Sequence, residues 1–282
     1  MELFAGKKGL VLGVANDHSI AWAIAGQIMA QGGICGFTHL PDRPDDERQR
    51  NRRRVQQLLD GCPQARFLVP LDVQSDENIA QVVQTTAEHF GKLDFLLHSI
   101  AFADRDDLNR DTVETSRSGF QLAMDVSVYS LIAVVNAARP ILNDNASVVA
   151  MTYFGGEKAV PGYNVMGICK AALDATVRYL AFDLGPRGIR VNAVSAGPLR
   201  TLAGRAAGVE EMLGLYEQMA PLGRNITHEE VGRAGAYLLS EMSSGITGEI
   251  LHVDGGYNIM GSPGRLLDSF RQLQASAASG QP

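Results

Sequence analysis

Cysteine is scarce in this chain. The three present, Cys35, Cys62 and Cys169, form no Cys-x-x-Cys pair. They read as reduced, mostly buried thiols of a cytosolic protein, and only Cys169, next to Lys170, sits where a reactive thiolate is conceivable. Positive charge is in short supply as well: 25 Lys and Arg face 31 Asp and Glu, a net charge of −6. That balance argues against nucleic acid or an anionic membrane as the main partner. No apolar run reads as long enough to cross a bilayer. A strand-like run, Gly9–Gly13, begins so soon after Met1 that neither a signal nor a transit peptide is expected. Repeats and splitting linkers are missing too, so 282 residues are expected to form one α/β domain. A chain of this length hides about three quarters of its unfolded surface.

What is present is an alternation. Short apolar runs at Leu10–Val14, Ile34–Thr38, Arg66–Leu71, Phe95–Ser99, Ser147–Thr152, Arg190–Ser195 and Glu249–Val253 read as strands. Helical patterns lie near 20–31, 45–60, 76–90, 116–143, 162–184 and 228–241. Nearly continuous apolar strands suit a parallel sheet covered on both faces. With right-handed crossovers, the order predicts an α/β fold: a single doubly wound Rossmann-type domain, with about seven parallel strands and helices on both faces. Its expected extent is 1–261. Gly204, Gly208 and Gly214 lie among small residues in 199–217, which reads as a mobile lid rather than a regular element. Residues 262–282 read as a loose tail with at most a helical turn around Leu266, Leu267 and Phe270.

Open α/β sheets bind ligands at the carboxyl ends of their strands. At the end of the first strand, Gly13 allows close backbone approach to a pyrophosphate, and Ser19 offers a hydroxyl while capping the helix that starts at Ile20. Asp72-Val73 ends the third strand, where a carboxylate can accept from an adenine amino group. Ser99 and Ile100 end the fourth, beside a ribose. Leu199, Arg200 and Thr201 follow the sixth, near a nicotinamide. After the second strand, Leu40, Asp42 and Arg43 leave NADH and NADPH both open, with NADH favoured: an acidic residue there would bind a free ribose 2′-OH, an arginine a 2′-phosphate. The following arginines, Arg48, Arg50 and Arg52–Arg54, read as a solvated helix face.

The chemical residues come after the fifth strand. Tyr163 and Lys170 stand seven apart. Seven residues turn a helix through about 700° and raise it about 10.5 Å, so both side chains leave one face with room for a ribose between them. A neutral phenol can donate to an oxyanion forming on a carbonyl, and an ammonium can hold ribose hydroxyls.

At these positions the chain resembles the short-chain dehydrogenase/reductase superfamily and, more narrowly, the NAD(P)H-dependent enoyl-acyl-carrier-protein reductases. The six-residue gap in Tyr163-(x6)-Lys170 marks that branch, as does Tyr153 where ketoreductases carry serine. Gly13–Ala21, His98–Ala103, Tyr153–Lys170, Val191–Leu202 and His252–Gly256 fit it in order, over roughly residues 4–260. The resemblance implies reduction of a trans-2-enoyl thioester carried by an acyl carrier protein. Tyr163 would bond the enolate oxygen, Lys170 would hold the nicotinamide ribose, and Tyr153 and Ala103 would line the acyl site. Gly13, Ser19, Ile20, Asp72, Val73, Ile100, Leu199, Arg200, Thr201, Leu202 and Ala203 match cofactor contacts. It also implies a cytoplasmic homotetramer with the helices 116–143 and 162–184 at one interface, and no metal. Leu40 replaces the glutamine of many NADH-using members, the lid carries Glu210 and Glu211 where basic residues often meet the carrier, and the tail is longer than expected. The alternatives are a ketone reductase of the same fold and a catalytically silent nucleotide-binding protein.

Overall fold

Leucine, valine and phenylalanine leave the strands of this chain with two apolar faces each, and the fold has two helical layers to cover them. The computed structural model describes residues 2–201 and 209–279. Seven strands run parallel in the order β3-β2-β1-β4-β5-β6-β7. They are β1 (Lys8–Leu12), β2 (Ile34–His39), β3 (Ala65–Pro70), β4 (Leu93–His98), β5 (Leu142–Thr152), β6 (Arg190–Ala196) and β7 (Ile250–Val253). The helices are α1 (Ile20–Ala30), α2 (Arg50–Leu59), α3 (Asp76–Phe90), α4 (Arg105–Asn109), α5 (Arg117–Met124), α6 (Ser130–Ala138), α7 (Asn164–Leu184), α8 (Val209–Met219), α9 (His228–Leu239) and α10 (Leu266–Ser279).

Alternation within the strands sorts the core. Leu10, Leu12, Leu96 and Val148 pack with α3, α6 and α7, whereas Val11, Phe95, Leu97 and Val149 pack with α1, α2 and α9. The doubly wound expectation therefore holds, and strand order reverses between β1 and β4, where such sheets place their ligands. The register carries Leu12 beside His98, His98 beside Ala150, and Thr152 beside Ser195. Gly13, Ser99, Tyr153 and Gly197 consequently project from one shelf.

Several expectations need correction. Strand β1 starts and stops two residues early, because Gly13 turns to a φ of +94°. Helix α2 begins only at Arg50, after turns through 44–48. The run expected as one helix over 116–143 ends at Ala138 and is interrupted by a π turn at Asp125–Tyr129, and β5 already starts at Leu142. This same run, Arg117–Ala138, is long and apolar enough to span a bilayer by length and composition, contrary to the sequence reading; here it packs on the sheet, with 56% of its apolar window buried. Part of the expected lid is a regular helix, α8, whose Val209, Leu213 and Tyr216 are buried. The tail is not loose either: α10 has 14 residues, and Arg265 just before it donates to the carbonyls of Ala220 (2.8 Å) and Pro221 (2.9 Å) at the C-terminal end of α8.

Candidate active site

Tyr163 is the residue that caps the start of α7, and Gly162 before it turns at a φ of +81°. The Asn164 side chain, donating to the carbonyls of Leu108 (2.9 Å) and Arg110, ties this helix start to α4. Tyr153, at the end of β5, meets Tyr163 edge-on, with ring centroids 4.6 Å apart at 68°. Gly155 closes over the pair; a Cβ there would lie 2.6 Å from a Tyr163 ring carbon. Burial pushes both phenols upward, Tyr153 to about 12, and Tyr163 further under the additional influence of Tyr153. Both are neutral donors at any physiological pH.

Lys170 follows two turns along α7 and is 5% exposed. Its ammonium donates to the Met151 carbonyl at 2.8 Å, so it reaches back to β5 rather than to Tyr163, as the spacing implied. Burial lowers its pKa to about 8, against the charge of Asp174, itself buried one turn further on, which favours the ammonium. Burial in turn raises the Asp174 carboxyl, and its Oδ1 has no hydrogen-bond partner among the described residues. His98 lies on the other side. Burial and the Lys170 charge push it down to about 3, so it is neutral. Ser130 uses its proton on the Val126 carbonyl (2.7 Å), so His98 Nε2 is the donor to Ser130 Oγ (2.8 Å). Cys169 is buried and raised to about 11, chiefly by desolvation, which removes the thiolate considered from sequence.

At the cofactor end, Gly13 packs against Ser99: a Cβ would fall 2.0 Å from the Ser99 carbonyl oxygen. The glycine is required by this strand-to-strand contact whatever binds above it. Ser19 does stand at the N-cap of α1, but its side chain does not cap the helix. Its Oγ accepts from the N–H groups of Ala15 and Asn16, both at 3.0 Å, and so folds the loop before the helix. Without a side-chain cap, the first-turn N–H groups at Ile20 and Ala21 are open to an anion, which fits a dinucleotide pyrophosphate. Asp72 is exposed; its Oδ1 accepts from Gln74 N–H at 3.0 Å and Oδ2 is left over. Val73 is buried, and Ser99 and Ile100 are half-buried on the shelf.

Asp42 is not available to a ribose. Its carboxylate accepts from the N–H groups of Asn51 (2.6 Å) and Arg52 (3.2 Å) and holds the start of α2. Leu40 is 69% exposed, and Arg43 is exposed beside it. Leu199 is buried, Thr201 half-buried, and the Arg200 guanidinium turns to Glu210 at 2.9 Å. Leu202 and Ala203 lie outside the described residues. Ala103 packs under the site with Val128, Val165 and Met166. Nearby, Ser127 on the π turn accepts from Phe102 N–H (2.9 Å) and donates to Phe102 C=O (3.0 Å), pinning the loop that carries Ala103. Among the described residues, no group of three or more His, Cys, Asp or Glu is placed to hold a metal ion.

Sequence reasoning missed Tyr216, Tyr257, Ser127 and Asp174. Tyr216 was findable: Val209, Leu213 and Tyr216 repeat at four and three, a helical stripe that the flanking glycines obscured.

A doubly wound parallel sheet with a half-buried Tyr163 at the start of the helix after β5 and a buried Lys170 along it defines a short-chain dehydrogenase/reductase. A family model described as enoyl-(acyl carrier protein) reductase matches residues 13–258. The chain is 49% identical over 257 residues to the NADH enoyl-acyl-carrier-protein reductase FabI of Nostoc, covering 91% of this chain and 98% of that one. It is 44% identical to the FabI of Bacillus cereus, covering 93% and 100%. A crystal structure of the Bacillus cereus enzyme with NADP+ and indole naphthyridinone superposes with a TM-score of 0.87, at 44% identity and covering 93% and 100%. The Anaplasma phagocytophilum reductase in complex with NAD gives 0.85, at 41% identity and covering 93% and 95%. The chain belongs to the enoyl-acyl-carrier-protein reductase family and is an NAD(P)H-dependent oxidoreductase.

Proposed function

We propose that this protein reduces the conjugated double bond of trans-2-enoyl thioesters on acyl carrier protein, with Tyr163, Lys170 and Tyr153 in distinct roles. When bound, the reduced nicotinamide supplies a hydride to the β-carbon. Charge then collects on the thioester oxygen, and the Tyr163 hydroxyl donates to it. A proton from solvent completes the α-carbon, giving the saturated thioester. The Lys170 ammonium, with donors to spare beyond its bond to Met151, holds ribose hydroxyls and adds positive potential. Tyr153 and Ala103 line the acyl side. Gly13, Ser19, Ile20, Asp72, Val73, Ser99, Ile100, Leu199 and Thr201 border the cofactor.

The observation carrying this reading is the pair of touching, neutral phenols, Tyr153 buried and Tyr163 half-buried, with one buried cation two turns along the same helix. A ketone reductase needs one such phenol; the second, where ketoreductases carry serine, favours the enoyl substrate. Purified protein should oxidise NADH or NADPH with crotonyl and longer trans-2-enoyl thioesters. Reduction of ketones with no turnover of these thioesters would reverse the assignment.

The reductase unit extends to residue 261, with α10 appended. It acts as a cytoplasmic homotetramer. Tyr129 and Ile132 on the 117–138 helical run, and Tyr179 and Phe182 on α7, are large apolar side chains in solvent, with Phe182 82% exposed, and they support burial between copies. Light scattering of the purified protein should return four times the chain mass.

A further inference from the structure

Tyr216 stands on α8, outside every strand end and loop of the cofactor shelf, yet its hydroxyl oxygen lies 3.0 Å from that of Tyr153. Both side chains are buried, Tyr216 at 4% exposure and Tyr153 at 8%. The Tyr216 ring stacks on Tyr257, with centroids 3.8 Å apart and planes 14° from parallel. Tyr257 in turn meets Phe154, the neighbour of Tyr153, edge-on at 5.7 Å. Below, Arg265 bonds the two carbonyls that follow α8, so the helix carrying Tyr216 is held at its C-terminal end as well. Ring and helix therefore fix this hydroxyl against that of Tyr153.

Two phenols in contact share one hydrogen bond, and its direction decides what the second proton can do. If Tyr153 donates to Tyr216, it presents only lone pairs to the substrate side. If Tyr216 donates, the Tyr153 proton is free to turn toward a thioester oxygen beside Tyr163. The hydroxyl of Tyr216 has no other acceptor among the described residues, and a buried donor left unpaired is costly. Donation by Tyr216 also polarises the Tyr153 hydroxyl and strengthens it as a donor.

We propose that Tyr216 is a positioning residue that donates to Tyr153 and turns the Tyr153 proton toward the substrate carbonyl, making Tyr153 a second donor beside Tyr163. This rests on the reading that Tyr153 faces the thioester. It assigns α8 a part in the chemistry.

The test is a double-mutant cycle of Tyr216→Phe and Tyr153→Phe, read as kcat/KM for a trans-2-enoyl thioester, with the KM for NADH and a thermal melt measured on each protein. Phenylalanine keeps the stacking on Tyr257, so folding is conserved. Y216F should lower kcat/KM for the thioester about five- to tenfold, a typical value for one neutral hydrogen bond, and leave the KM for NADH within twofold. In the Y153F background the same change should cost less than twofold, because the hydroxyl it orients is gone. An equal loss in both backgrounds, or no loss in the wild-type background, overturns the positioning role while leaving the function of Tyr153 intact. A fully active Y153F protein overturns both that assignment and this one.

Discussion

The ammonium of Lys170 sits 2.8 Å from the carbonyl of Met151, on the strand next to its helix, while Asp174 stays one helical turn away and beyond ion-pair distance. A buried cation without a contacting anion destabilises the fold it serves. Its pKa falls from 10.5 to about 8, mainly through desolvation. Between those values the unfolded chain binds more protons than the folded one, so the penalty is full below about pH 8 and fades as pH rises toward 10.5. At roughly 1.4 kcal/mol per pH interval, the cost is on the order of 3 kcal/mol at pH 7. Lys170→Met should therefore melt at the same temperature or higher than wild type at pH 7, while NADH-dependent turnover falls about 100-fold or more. Wild-type turnover should decline above about pH 8, as Lys170 loses its proton. A lowered melting point for K170M would show that the cation stabilises the fold instead.

Tyr163→Phe removes one hydroxyl and leaves the edge-on ring contact with Tyr153 in place. Loss of a donor to a developing oxyanion costs about 10²- to 10³-fold in kcat. Fluorescence titration should show NADH binding within twofold of wild type if, as proposed, Lys170 rather than Tyr163 carries the ribose contact. Weakened NADH binding with unchanged kcat would contradict the division of roles between the two.

Gly13→Ala tests the shelf itself. The backbone there has a φ of +94°, and the added Cβ would meet the Ser99 carbonyl oxygen at 2.0 Å. Neither backbone can yield without shifting β1 against β4. The expected loss is about 3 kcal/mol or more of unfolding free energy, measured by urea denaturation. Full stability with weakened cofactor binding would instead restore the reading of Gly13 as a pyrophosphate contact alone.

Periodicity made the sheet legible, because each strand is a short apolar run and each crossover a helix. The Tyr163–Lys170 spacing made the site legible for a similar reason: helix geometry alone places both on one face. What stayed hidden depended on hydrogen bonds that sequence does not display. Ser19 has the residue type of a cap, yet its hydroxyl turns back to Ala15 and Asn16. The interruption of the 117–138 run is a π turn, invisible to a 3.6-residue period, and Ser127 within it pins Phe102. Tyr216 reaches Tyr153 from 63 positions away. The exposed tail helix showed only a weak apolar patch, and its attachment through Arg265 is a long-range contact.

Asp42 and Arg43 looked like rivals for the cofactor ribose, and the structure gives them different work. Asp42 accepts from Asn51 and Arg52 and behaves as the cap of α2. Asp42→Ala should therefore cost about 1 kcal/mol of stability and leave the ratio of NADH to NADPH use unchanged. Arg43 is exposed and has no carboxylate partner among the described residues, so it is free to meet a 2′-phosphate. Arg43→Ala should lower kcat/KM for NADPH about tenfold and spare NADH, since one charge-assisted bond is worth about 1.5–3 kcal/mol and this one is solvent-exposed. Parallel steady-state assays of the two variants with both cofactors decide it. A change in preference in D42A, with none in R43A, would return the selectivity to the acidic residue.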